Sequence, residues 1–232
     1  MLLAIDTSGP DCSVCITSSN SIKPLASITE TLGRGHAERL MPMLETLLEQ
    51  GQCTWDDLTH IACTVGPGSF TGLRVGLAAA RGLALATGLP ATGVGVLEAM
   101  AHPVECPVAV AMDAKRGEMW LAVLGRRDKD IPAPRPLLIE PCAHTPDEAA
   151  RLISKAGWVV TGSGFALLHE VDSSLSLADE GTVHPSPKIE DVARLAWDRF
   201  DANSTLSLSA LYLRAPDAKP QTVAFTATSE VG

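Results

Sequence analysis

The spacing of apolar residues changes several times along the chain, and each change marks an element. Leu2 to Ile5 is an unbroken apolar run of the kind a buried strand carries. Asp6-Thr7-Ser8-Gly9-Pro10-Asp11 has turn composition; Cys12 to Thr17 predicts a second strand and Lys23 to Thr29 a weaker third. From His36 to Gln50 the period becomes helical, with Ala37, Leu40, Met41, Leu44, Leu47 and Leu48 spaced by three and four. Pro42 inside that pattern is expected to bend the helix or end its first turn, and Gly51 to stop it. A helical turn is expected at Trp55 to Leu58 and a strand at His60 to Val65. The loop Gly66-Pro67-Gly68-Ser69-Phe70-Thr71-Gly72 comes next, leading into an Ala-rich helix from Thr71 to Thr87 that Gly88 and Pro90 end. Ala91 to Val96 predicts a strand and Leu97 to His102 a short helix.

Pro103 and Pro107 then bracket a polar stretch, and the opening pattern recurs. Val108-Ala109-Val110-Ala111-Met112-Asp113 is an apolar strand ending in Asp, followed by the turn Lys115-Arg116-Gly117 and a strand from Met119 to Leu124. Residues 126–136 are charged and Pro-rich and are expected to be a loop. Thr145 to Ala156 predicts a helix opened by the capping box Thr145-x-x-Glu148. A strand at Trp158 to Thr161, a tight turn at Gly162-Ser163-Gly164 and an amphipathic helix at Ile189 to Ala202 complete the pattern. Meandering strands followed by helix–strand alternation, twice over, imply an α/β chain of two lobes, each with a mixed sheet and flanking helices. The expected division is 1–103, 104–214 and a polar, frayed tail over 215–232, with the ligand position in the cleft between lobes.

Composition narrows the function. Apolar residues are 46% of the 232 and charged residues 19%, enough to bury a core. A net charge of −9 argues against a protein that grips nucleic acid by itself, since phosphate binding needs clustered Lys and Arg. Aromatic residues are 4%, so base-stacking platforms are scarce. No signal-peptide pattern and no run of 18 apolar residues is present, so a cytoplasmic protein with reduced thiols is expected. The lone Cys12-x-x-Cys15 falls in a strand, where plain buried thiols are expected rather than a redox pair or zinc site.

Three features could carry chemistry, and each has two readings. The loop Gly66 to Gly72, between strand and helix, could present backbone N–H groups to an anion, or its glycines could let a tight turn meet a packed helix. It is not a Walker A loop, because Leu73-Arg74 stands where Lys-Ser/Thr would. Nor does Ser69 sit in a nucleophile elbow. Gly72, Gly76 and Ala80 make a smooth stripe that could seat a partner helix or the protein's own sheet. Asp6 and Asp113 end equivalent strands and could hold a metal-bound nucleotide across a cleft, or could simply form turns. The histidines have no metal-ligand spacing, and no Ser–His–Asp set can be assembled.

Leu3-Ala4-Ile5-Asp6-Thr7-Ser8, His36-Ala37-Glu38-Arg39-Leu40-Met41-Pro42, the loop Gly66 to Arg74 and Tyr212-Leu213-Arg214 occur together and in order. In this the chain resembles the bacterial tRNA threonylcarbamoyladenosine biosynthesis protein TsaB (YeaZ) family, over nearly its whole length. The resemblance implies an actin/Hsp70/sugar-kinase-like (ASKHA) fold. It implies a non-catalytic subunit, docking on and stabilising the homologous catalytic subunit TsaD, with the ATPase TsaE as a further partner. The complex forms N6-threonylcarbamoyladenosine at adenosine 37 of tRNA, and tRNA is met only through it. The metal-binding His-x-x-x-His of the catalytic relative falls here on Val96 and Met100, and Asp113-Ala114-Lys115 replaces the Asp-x-Gly of active relatives. No cofactor is therefore expected in this subunit, ATP and ADP being used by its partners. Asp6, Ser8 and Asp113 mark a vestigial cleft. The docking surface implied comprises His36, Glu38, Leu40, Met41, Leu44 and Leu48 with Gly72, Arg74, Val75, Gly76, Ala79 and Ala80, and a homodimer through it is expected when the partner is absent. An independent ATP-dependent phosphotransferase or metal-dependent peptidase is the alternative.

Overall fold

The computed structural model describes residues 1–19, 23–128, 135–178 and 183–213. The first apolar run forms β1 (Leu2–Asp6), with Leu3 and Ile5 in one apolar cluster and Leu2 and Ala4 in another on the opposite face, as a period of two requires. β2 (Asp11–Thr17) pairs antiparallel with β1, and β3 (Ala26–Thr31) antiparallel with β2. β4 (His60–Gly66) and β5 (Ala91–Gly95) add in parallel, giving the order β3-β2-β1-β4-β5. Parallel neighbours need crossovers. These are α1 (His36–Gln50) and α2 (Phe70–Thr87), which pack on the Leu3/Ile5 face. Pro42 does not end α1. It removes the bond to the Glu38 carbonyl, and both residues are exposed, which leaves that oxygen open to solvent. Cys12 and Cys15 lie in the clusters on opposite faces of the sheet and cannot pair with each other.

A second sheet repeats the arrangement. β6 (Val108–Lys115), β7 (Glu118–Leu124) and β8 (Leu137–His144) run antiparallel, and β9 (Val159–Thr161) adds in parallel to β6, in the order β8-β7-β6-β9. α4 (Pro146–Ile153) and α5 (Phe165–Val171) cover its outer face. The capping box of α4 is made in both directions: the Glu148 N–H donates to Thr145 Oγ1 at 3.3 Å and the Thr145 N–H to Glu148 Oε2 at 3.0 Å. The helix expected to run to Ala156 tightens into a 3₁₀ turn at Ser154–Ala156. β8 and α5 have no counterpart among the elements expected from sequence.

α3 (Val96–Ala101) lies between the sheets, with Val96, Leu97 and Met100 packed against Val108, Val110 and Ala122. The last helix, α6 (Ile189–Asp201), belongs to the second lobe by sequence. Its apolar face nevertheless packs on Leu2, Ala4, Ala62 and Val94 of the first sheet. The chain then crosses back over that sheet. The Gly93 N–H donates to Leu206 O at 2.8 Å, and the Leu211 N–H to Val65 O at 2.7 Å. Arg135, expected in a loop, is buried, and its guanidinium donates to the carbonyls of Ala101, Val104, Cys106 and Gly125, tying the inter-sheet connection in place. Burial pulls its pKa down to about 10. The rest of that loop, 129–134, and the tail over 215–232 lie outside the described residues, as does Arg214.

Candidate functional site

Two places on the molecule gather the residues singled out by sequence: the cleft between the sheets and the outer face of α1 and α2. In the cleft the turn after β1 meets the glycine loop. Asp6 is fully buried. Its Oδ1 accepts from the Ser8 N–H at 3.0 Å, Ser8 Oγ at 2.6 Å and Thr64 Oγ1 at 2.6 Å, while Oδ2 has no partner among the described residues. Burial raises the Asp6 pKa, and the three hydrogen bonds offset this only in part. Ser8 lines a cavity of about 680 Å³ together with Ser69, Phe70, Asp113, Lys115, Trp120 and Tyr212. Asp6 sits behind Ser8 and does not line it. Across the cleft, Asp113 accepts from the Lys115 N–H and from Lys115 Nζ, both at 2.7 Å. Burial pushes the Asp113 pKa up, and the bonds to Lys115 outweigh that and lower it. The Lys115 ammonium thus occupies the carboxylate that would face a ligand's metal ion.

The glycine loop resolves its two readings in favour of close packing. A Cβ on Gly68 would lie 2.4 Å from Ser8 O, and one on Gly72 2.0 Å from Thr7 O. Gly66 has φ +111°, a conformation open to glycine. The loop spends amides on its own chain: the Ser69 N–H donates to Ser8 O at 2.7 Å, and the Gly72 N–H to the N-cap oxygen Ser69 Oγ at 3.3 Å.

The outer face corrects the expected docking surface. Gly72, Gly76 and Ala80 are buried against the protein's own first sheet, where a Cβ on Gly76 would meet Thr7 Oγ1 at 2.4 Å. His36, Leu40, Leu44 and Leu48 are buried under α1, and the His36 ring bonds the Asp11 carbonyl at 3.2 Å through Nε2. Seven of the twelve positions are therefore buried in the fold, Leu40 among them also lining the groove between α1 and α2. Glu38, Met41 and Arg74 are exposed, and Val75 and Ala79 half-buried. Of these, Met41, Arg74, Val75 and Ala79, but not Glu38, border a groove of about 540 Å³ that Leu40 also lines; it is completed by Ala37, Phe70, Thr71 and Ala78. Apart from Ala37, an apolar position of α1, these were not singled out, because they lie beside the Gly/Ala stripe. Arg74 stacks its guanidinium 3.9 Å above the Phe70 ring, whose centroid is 5.2 Å from that of Tyr212. Val96 and Met100 are buried in apolar packing between the sheets. Among the described residues no group of three or more His, Cys, Asp or Glu is placed to hold a metal ion, and no helix is long and apolar enough to cross a membrane.

Known proteins share this arrangement over most of its length. The tRNA threonylcarbamoyladenosine biosynthesis protein TsaB of Escherichia coli K12 is 30% identical over 227 residues, covering 92% of this chain and 94% of that protein. The chain belongs to the TsaB (YeaZ) family. A TsaB from Haemophilus influenzae is 36% identical over 131 residues, 54% of each chain. The solved structure of YeaZ from Pseudomonas aeruginosa superposes with a TM-score of 0.77 at 27% identity, over 91% of this chain and 99% of that one. The expected ASKHA-like class is thus the fold of this TsaB family member, two mixed sheets with flanking helices. The family model described as TsaD: tRNA N6-adenosine threonylcarbamoyltransferase matches residues 25–153, a span that contains α1 and α2.

Proposed function

We propose that the chain is an accessory subunit in the formation of N6-threonylcarbamoyladenosine at adenosine 37 of tRNA, acting in the cytoplasm by docking on TsaD. The observation that carries this is end-to-end similarity to a protein named for that biosynthesis. The chemistry belongs to the partner. Here the cleft carboxylate Asp113 is tied to Lys115, and the glycine loop is filled by the protein's own turn. The docking surface is the groove between α1 and α2, with Met41, Phe70, Arg74 and Ala78 at its centre. Because the TsaD family model matches the very span that holds these helices, the equivalent helices of TsaD are the proposed occupant; TsaE is proposed to join the assembled pair. The same groove serves a homodimer when TsaD is absent.

A reconstituted tRNA-modification assay, run with and without this chain, tests the role. Met41→Asp and Ala78→Asp change exposed residues only. Each is expected to cut TsaD capture at least about tenfold, the cost of placing a charge in an apolar interface, while the melting curve is kept. Capture that survives both changes overturns the surface assignment. ATP turnover by the isolated chain overturns the non-catalytic role.

A further inference from the structure

The groove between α1 and α2 is lined by eight uncharged residues and by Arg74. Those of α2 fall in two rows of four-residue spacing, Phe70-Arg74-Ala78 and Thr71-Val75-Ala79, as one face of a helix requires. That spacing lays the guanidinium of Arg74 on the Phe70 ring, its carbon 3.9 Å from the centroid. The ring rests in turn on Tyr212, with centroids 5.2 Å apart and planes inclined at 40°. Tyr212 comes from the segment that crosses back over the first sheet, and its neighbour Leu211 ties that segment to β4 through Val65 O. Arg74 is thus exposed yet held flat, by a stack built from two distant parts of the chain. The stack uses the face of the guanidinium and leaves its N–H edge unspent: among the described residues no hydrogen bond or ion pair engages it. Other arginines spend theirs, Arg39 on the Glu30 carboxylate and Arg135 on carbonyls at the end of α3 and beyond. A partner that covers the groove strips water from the Arg74 N–H groups, and a buried donor without an acceptor is costly. Carbonyls within a helix are already bonded along that helix, so docking helices must offer a side-chain acceptor. A carboxylate fits the planar fork and the charge together.

We propose that Arg74 is the polar anchor of the docking surface, taking a carboxylate from the partner's docking helices, with Phe70 and Tyr212 as positioning residues that hold its guanidinium flat for that pair. The proposal rests on the docking reading above and adds the chemistry of the partner: an Asp or Glu facing the Phe70 end of an otherwise apolar contact. It also gives the returning segment, through Tyr212, a part in a surface otherwise made by α1 and α2.

Capture of TsaD by full-chain variants tests it. Arg74→Met, which keeps an apolar stem, is expected to weaken capture about tenfold with the melting curve kept, and Arg74→Lys to regain only part of that, since an ammonium cannot fork. Arg74→Glu is expected to weaken it about a hundredfold, and one Asp or Glu of TsaD's docking helices, changed to Lys, to restore it. Tyr212→Phe should capture like wild type. Tyr212→Ala should lose about threefold, and nothing further when Arg74→Met is already present, an outcome that a merely stabilising ring contact would not produce. The proposal is overturned by full capture in Arg74→Met, by failure of every acidic residue of those helices to rescue Arg74→Glu, or by a Tyr212→Ala loss that is the same in the Arg74→Met background. Full capture in Arg74→Met together with loss in Met41→Asp removes the anchor and leaves the groove standing. Full capture in both Met41→Asp and Ala78→Asp removes the groove itself, and the anchor with it.

Discussion

The two sheets open with the same device and finish it differently. In each, an antiparallel hairpin ends its first strand near an Asp, and a parallel strand beside it delivers a glycine-bearing loop against the hairpin backbone. In the first lobe the loop after β4 presses Gly68 and Gly72 onto Ser8 and Thr7. In the second the loop after β9 presses Gly162 onto Ala111, where a Cβ would lie 2.3 Å from the carbonyl oxygen. The helices that follow differ: α2 has 18 residues and α5 seven. The carboxylates differ as well, Asp6 sealed from solvent and Asp113 paired with a lysine that is 81% exposed. The first lobe is built for a rigid turn under a long helix with one free face, the second for a shorter, wetter version of the same turn.

Substitution at the glycines should give the largest effects. Gly72→Val puts side-chain atoms where Thr7 O already stands, and overpacking against backbone is expected to cost about 3 kcal/mol or more. Gly162→Val should be comparably severe, since it adds a φ of +100° to a clash with Ala111. Urea unfolding measures both. A Gly72→Val protein as stable as wild type would return the stripe to the surface and undo the comparison.

Asp6 should give a smaller, pH-dependent effect. Its pKa is raised in the folded state, so the fold holds that proton more tightly than the unfolded chain does. Its contribution to stability is fully present below the unfolded pKa of about 4 and is lost as pH rises through the folded value. Asp6→Asn keeps an acceptor for Ser8 and Thr64 and removes the titration. Melting temperatures across pH 4–8 should therefore fall with rising pH in wild type relative to the variant. Parallel curves would mean that Asp6 is not buried as a carboxyl. Lys115→Ala should matter least, about 0.5 kcal/mol, because an ion pair with so exposed a partner is screened. A loss of several kcal/mol there would make the second turn as sealed as the first.

Much of the fold was legible in sequence because periodicity reports burial directly: β1, α1, α2, β6 and α6 all carry apolar residues at the spacing their buried faces need. β8 was not legible because it is a half-exposed edge strand with Pro141 inside it, which hides both signals. α5 is too short to show a period and buries only Leu168. The helices α1 and α2 were legible, but not which face of α2 the fold leaves exposed. Gly and Ala suit close approach to a partner helix and to one's own sheet equally well, so the stripe of Gly72, Gly76 and Ala80 named the helix and not the face. Ser8 and Asp113 were found as cleft residues. The depth of Asp6 behind them follows from hydrogen bonds to Thr64, 58 residues away, which no local pattern announces.

The return of α6 to the first sheet sets an order of events during synthesis. When only residues 1–103 have emerged from a ribosome, β1, β4 and β5 have their α1/α2 side covered, while Leu2, Ala4, Ala62 and Val94 lack the helix that shields them in the finished chain. That bare side stays open until Ile189–Asp201 has been made, after the whole second sheet. The first lobe thus carries an exposed apolar face for as long as the second sheet is being made, by topology alone.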